Sequence, residues 1–259
     1  MQSKNNKNQK KTIGNEKKDA SLKTQNLKNK LEIQKEENKI VRMKYLLDDC
    51  YFECNKYMRI FGEEFTEKNK DKCTMVIAEK EYKIVTMIDM DEFERYGINK
   101  KNKTVEIILI GEEIKDMSFM FYSCQSLIEV DFSLFNTEKI TNMSLMFMYC
   151  GSLTRVIFPE YNTRDLTNMA WMFDGCENLT QVNFSSFDTQ KVTDMQNMLS
   201  ECMRLNKVDL SSFDIQNVEN MSSMFYGFGG SIKIKRKILN KIKSGSELDN
   251  DSQLMILEI

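Results

Sequence analysis

The sequence predicts an α/β repeat solenoid, with a parallel sheet on one face and short helices on the other. The first observation behind this is a 26-residue unit written four times without insertion, starting at Ile114, Ile140, Leu166 and Val192, with a fifth copy beginning at Val218. A fixed period in this range marks architectures in which each unit buries its apolar face only against its neighbours. The second observation is a change of spacing inside the unit. Met117, Met120, Phe121 and Cys124 recur at i, i+3, i+4 and i+7, which places them on one side of a short helix. Leu127, Val130 and Phe132 follow at three and then two, the spacing of a short strand entered through a bend. The unit therefore reads helix, turn, strand, turn.

The columns of the repeat support that reading. Asp116, Asn142, Asn168, Asp194 and Asn220 each precede the first Met of a copy, where a short polar side chain accepts an amide hydrogen of the first helical turn. Asn136, Asn162, Asp188 and Asp214 form a second such column after the strand, at an expected turn. Cys124, Cys150, Cys176 and Cys202 form a third. With seven Cys and no His in the chain, the column reads as stacked small hydrophobes and not as a disulfide framework or a metal site. Cys50 and Cys54, four apart on an expected helix, are too sparse to read as a redox pair.

The Leu-x-x-Val-x-Phe strand resembles the core of leucine-rich repeats. The wider frame, seen as Thr141-Asn142-Met143-Ser144 with Met146-Phe147, Cys150 and Ser152-Leu153, resembles the BspA-like leucine-rich repeat surface proteins of bacteria and protists. The likeness covers about residues 114–230. It implies a leucine-rich-repeat-like solenoid with a curved parallel sheet and a non-enzymatic surface or adhesion role, and it implies nothing about the partner.

Outside the repeats, residues 1–20 hold almost nothing that can be buried and read as a disordered basic tail. Residues 1–30 carry nine Lys against Glu16 and Asp19, whereas residues 114–217 carry seven basic and thirteen acidic residues. A solvated tail is the preferred reading over an arm for nucleic acid or anionic lipid. Residues 21–55 lack Gly and Pro and place Leu27, Leu31, Ile40, Met43, Leu47 and Tyr51 mostly three, four or seven apart, predicting a helix. That helix either packs on the next domain or self-associates as a coiled coil, and packing is preferred because fewer than three clean heptads are present. Residues 56–112 are rich in Ile, Val, Tyr and Phe and predict a small β-rich cap, including a hairpin of Cys73–Ile77 with Glu81–Val85 that turns near Ala78, Glu79 and Lys80. Residues 231–259 are expected to close the other end as a C-terminal cap and tail, with Ile234 in the place of the strand Val.

Function is constrained from two sides. The chain shows no phosphate loop, no dinucleotide glycine pattern and no nucleophile elbow, so no enzyme and no cofactor are expected. No apolar run matches the roughly 7 to 15 residues of a signal peptide or the roughly 18 of a membrane span, so a cytoplasmic chain is expected. A contact surface is sought where the copies differ, because matching columns serve the fold. Opposite the Met-Phe-Cys stripe, one column reads Phe119, Leu145, Trp171, Asn197, Ser223 and another reads Tyr122, Met148, Asp174, Ser200, Tyr226. Phe119, Tyr122, Leu145, Met148 and Trp171 are thus the candidate partner-binding residues, for a protein or peptide or for the chain's own N-terminal helix. The strand face, with Glu129, Asp131, Arg155, Ile157, Gln181, Asn183, Lys207 and Asp209, lacks the basic and aromatic character that nucleic acid requires. The expected function is a protein–protein interaction scaffold, with a cell-surface adhesion protein, and after it a nucleic-acid or anionic-membrane binder through the basic ends, as alternatives.

Overall fold

The computed structural model describes residues 39–47, 56–99, 101–160, 163–244 and 255–258, with the side chains of 241–244 and 255–258 not included. The expected tail, the expected helix as far as residue 38, the Cys50 and Cys54 pair, and Asn162 lie outside the described residues. An apolar core runs from Val41 to Leu239.

Within the expected helix of residues 21–55, the stretch Lys39–Leu46 is instead a strand, β1, and residues 48–55 lie outside the described residues. Ile40, Met43 and Leu47 do lie three and four apart, but Val41, Met43, Tyr45 and Leu47 also alternate, and it is this period of two that the core takes up. A register shift between Ile40 and Arg42 accommodates two successive buried residues, Ile40 and Val41. Next come β2 (Tyr57–Arg59), α1 (Glu63–Asn69), β3 (Cys73–Ile77), β4 (Lys80–Lys83), β5 (Met87–Asp89), a 3₁₀ turn at Met90–Tyr96 and β6 (Thr104–Gly111). The copies supply β7 (Leu127–Phe135), β8 (Arg155–Ile157), β9 (Gln181–Val182) and β10 (Lys207–Asp209). They are followed by β11 (Ser231–Ile234), α2 (Arg236–Ser244) and β12 (Met255–Glu258).

The α/β solenoid of the sequence reading is corrected by this architecture. The described chain is mostly sheet, and its two α-helices both lie outside the four full copies. The main sheet is mixed and seven-stranded, in the order β4-β3-β6-β1-β7-β8-β9, antiparallel as far as β7 and parallel from β7 to β9. β1 enters between β6 and β7 and so joins the 56–112 segment to the first copy. A separate three-stranded parallel sheet, β10-β11-β12, follows at the C-terminal side.

The expected helix of each copy is instead a ribbon of consecutive turns. Met120 N–H donates to Met117 O, Tyr122 N–H to Phe119 O and Cys124 N–H to Phe121 O, all i→i+3 bonds. Phe119 (φ 58°) and Ser123 (φ 57°) are left-handed, as the third residue of a type II turn requires. The intervening N–H groups point out of the copy. Those of Met117, Phe119, Phe121 and Ser123 donate to the carbonyls of Asn142, Ser144, Met146 and Met148, and the next copies repeat the pattern. A helix would spend those donors internally. The Asx column does accept a first-turn amide, as Asp116 Oδ1 does from Ser118 N at 2.8 Å, but it builds an Asx-turn at a parallel bridge to the next copy and not a helix cap.

Stacked side chains fill the interior. Phe121, Phe147 and Phe173 lie face to face, with centroids 5.4 and 5.0 Å apart. Each column thiol is buried and donates to a carbonyl of the copy before it, Cys150 to Phe121 O at 2.9 Å and Cys176 to Phe147 O at 3.1 Å. The first copy has no predecessor, and Ile60–Gly62 takes that place. Cys124 donates to Ile60 O, Gly62 N–H donates to Met120 O at 3.0 Å, and the Phe61 ring lies 5.9 Å from that of Phe121.

The expected hairpin is β3–β4; Ala78 and Glu79 form its loop and are left-handed (φ 49° and 66°), as a type I′ turn demands, while Lys80, expected in the turn, already pairs with Ile77. Glu79 is exposed and forms no hydrogen bond or ion pair among the described residues, so Glu79→Gly is expected to stabilise the protein by about 1 kcal/mol, read as a higher urea midpoint at unchanged slope. At the other end the frame shortens. Val208 pairs with Ile232, not with Ile234, because Gly230 approaches so closely that a Cβ there would lie 2.0 Å from Leu205 O. The terminal Met255–Glu258 segment docks as β12, parallel to β11.

Candidate protein-interaction surface

The turn ribbons set the geometry of the candidate surface. Because Phe119, Leu145 and Trp171 hold φ values of 58°, 55° and 61°, their side chains leave the ribbon on the side away from the Met and Phe core, and each is half-buried. A left-handed conformation costs an ordinary residue about 1–2 kcal/mol. The same backbone is made in the fourth and fifth copies by Asn197 and Ser223, so the fold does not need an apolar residue at these positions.

Two of the five predicted residues are placed together by ring contact. Phe119 and Tyr122 meet edge to face at 5.6 Å. Tyr122 then meets Tyr149, a residue the sequence reading missed, at 6.1 Å and again edge to face. Leu145 and Trp171 lie along the same column. Met148 is buried, 8% exposed, and the residue that the second copy exposes beside it is Tyr149.

Tyr149 is 42% exposed, and its ring lies across the next copy at Gly175, where a Cβ would come within 2.8 Å of Cδ1. Glu201 covers Gly227 one period later in the same way, its Cγ 3.5 Å from where a Cβ would stand. The alternation Tyr149, Gly175, Glu201, Gly227 at intervals of 26 was present in the sequence and was the signal for this overhang.

The electrostatics of the ridge are acidic. Asp174 is 5% exposed, and burial pushes its carboxyl above the usual carboxylate range, opposed by a hydrogen bond from Ser200 and assisted by the charge of Glu201. Partial desolvation raises the Tyr149 hydroxyl, with the charges of Asp174, Tyr122 and Glu201 adding to it. Several acidic residues elsewhere are compensated across copies: Glu129 by Arg155 at 3.3 Å, Asp165 by Lys191 at 2.7 Å and Asp209 by Lys233 at 2.9 Å. On the strand face, Glu129, Arg155 and Asp209 are met in this way.

One cleft, of about 390 Å³, lies between α1 and the first copy and is lined by Lys68, Lys72, Lys115, Glu113, Asp116 and Asn69. Its charges are largely offset, with Lys68 paired to Asp116 at 3.0 Å. The described thiols are not poised for chemistry. Burial pushes Cys73 up to about 12 and the four column thiols up as well, so all stay protonated. Among the described residues, no helix is long and apolar enough to cross a membrane.

No curated protein and no solved structure matches the chain. Residues 115–237, just under half of the chain and including the whole ridge, are similar to the family described as Mycoplasma protein of unknown function, DUF285.

Proposed function

We propose that this protein is a non-enzymatic protein–protein interaction module and that its contact surface is the ridge of Phe119, Tyr122, Leu145, Tyr149 and Trp171. The observation that carries the reading is the retention of Phe, Leu and Trp at three left-handed positions where Asn197 and Ser223 serve the fold equally well. Strain kept for a half-exposed apolar side chain serves something other than folding. Aromatic residues in a row are also the commonest anchors of protein interfaces.

The groups that would carry catalysis have structural duties instead. The column thiols are buried and protonated, the Asx side chains close turns, and many carboxylates are paired across copies. The resemblance of the repeat frame to BspA-like proteins implies the same class of role.

The test is affinity capture from cells that express the full chain, comparing the wild type with Phe119→Ser, Leu145→Asn and Trp171→Asn combined. These substitutions place the residues of later copies at the same backbone position, so unfolding should match the wild type within about 1 kcal/mol. Selective loss of bound proteins is expected, and identical sets from the two chains would overturn the assignment.

A further inference from the structure

We propose that the ridge receives a cationic stretch of a partner protein, in which a Lys or Arg side chain lies against the Tyr149 ring with Asp174 and Glu201 as its counter-charges. This rests on the reading of the ridge as a contact surface and adds the chemistry of what it contacts.

Charge complementarity is the argument. The five turn segments, residues 117–126 and their equivalents, contain Asp174, Glu177 and Glu201 against Arg204 and no Lys at all. Among the described residues, neither Asp174 nor Glu201 forms an ion pair, although carboxylates on the neighbouring columns do. A carboxylate as buried as Asp174 ordinarily has a positive partner, and here only the Ser200 hydroxyl is in place. The negative charge therefore sits beside the exposed aromatic ring without compensation from the described chain.

Tyr149 supplies the rest. Its ring is supported from below by the Gly175 backbone, is met at its edge by Tyr122, and leaves 42% of its surface open. An aromatic face with carboxylates beside it binds an ammonium or guanidinium group by cation–π attraction and by ion pairing at once. A neutral apolar peptide would leave Asp174 and Glu201 uncompensated, and an acidic one would be repelled.

The test uses the full chain and three fluorescein-labelled decapeptides of alternating sequence, Lys-Ser, norleucine-Ser and Glu-Ser, followed by anisotropy. Tyr149→Ser copies the residue of the first copy, Ser123, and Asp174→Asn with Glu201→Gln removes the charge and keeps the shape. The Lys-Ser peptide is expected to bind, to weaken as salt rises, and to lose about tenfold in affinity with either variant, while circular dichroism stays that of the wild type. No binding at millimolar peptide, or binding that neither variant changes, overturns the proposal. Binding of the norleucine-Ser peptide at equal affinity, still sensitive to Tyr149→Ser, overturns the charge preference and leaves the contact surface standing. Loss of the contact surface itself would show separately, as identical capture by the Phe119, Leu145 and Trp171 variant. Self-association of the chain through this face that the Lys-Ser peptide cannot displace also overturns it.

Discussion

Replacing Phe147 by Ala is expected to lower the stability by about 4 kcal/mol. The Phe147 side chain is fully buried and stands between two parallel rings, Phe121 at 5.4 Å and Phe173 at 5.0 Å, with the edge of Phe132 at 6.4 Å. The neighbouring ribbons are tied to it by main-chain hydrogen bonds from Phe121 N–H to Met146 O and from Phe147 N–H to Met172 O, so they cannot collapse freely into the void. The cavity therefore persists and adds to the lost transfer energy. Phe147→Leu should cost less than about 1.5 kcal/mol, because Leu199 already occupies this column in the fourth copy and keeps the volume nearly constant. Urea unfolding followed by Trp171 fluorescence measures both. An Ala variant within about 1 kcal/mol of the wild type would mean that the ring stack is not what holds successive copies together.

Gly62→Ala is expected to cost about 3 kcal/mol and to lower Tm by about 10 °C. A Cβ at this position would lie 1.9 Å from Phe119 O, a main-chain atom that cannot turn aside. Relief requires Ile60–Gly62 to withdraw from the first copy. That withdrawal breaks the bond from Gly62 N–H to Met120 O and moves Ile60 O away from both Tyr45 Oη, at 2.6 Å, and Cys124 Sγ. Each such bond contributes about 1 kcal/mol, and the buried groups left behind cost more. Gly62 has φ −68°, so the requirement is for space and not for a left-handed backbone. Differential scanning calorimetry checks it, and an unchanged Tm would show that this segment does not seat against the first copy as described.

Much of the interior was legible before any coordinates. Met117, Met120, Phe121 and Cys124 were assigned to one apolar stripe, and all four are fully buried. The hydrogen bond from a main-chain N–H to each Asx side chain before the first Met, and the hairpin turn near Ala78 and Glu79 though not Lys80, were legible for a related reason: both are made by residues two or three apart. Phe119, Tyr122, Leu145 and Trp171 were singled out by asking where the copies differ, and all four are half-buried. Met148 is buried, and Tyr149 was passed over because its overhang depends on Gly175 in the following copy.

The elements that were misread share one cause. The spacing of Met117 to Cys124 suits a helix and a ribbon of turns alike, since both bring residues three and four apart to one side. What separates them is where Phe119 and Phe121 send their N–H groups, and those acceptors belong to residues 25 positions away. Likewise Ile40 to Leu47 fits a helical stripe as read alone and becomes β1 because β6 and β7 lie on either side of it. The period, the buried columns and the turn side chains were thus determined by the sequence alone, because volume, polarity and short-range hydrogen bonding are properties of neighbouring residues. Only the tertiary structure decided strand against helix, the mixed sheet and the seating of Ile60–Gly62, because a main-chain donor takes the conformation in which its acceptor is found, and here that acceptor comes from a distant part of the chain.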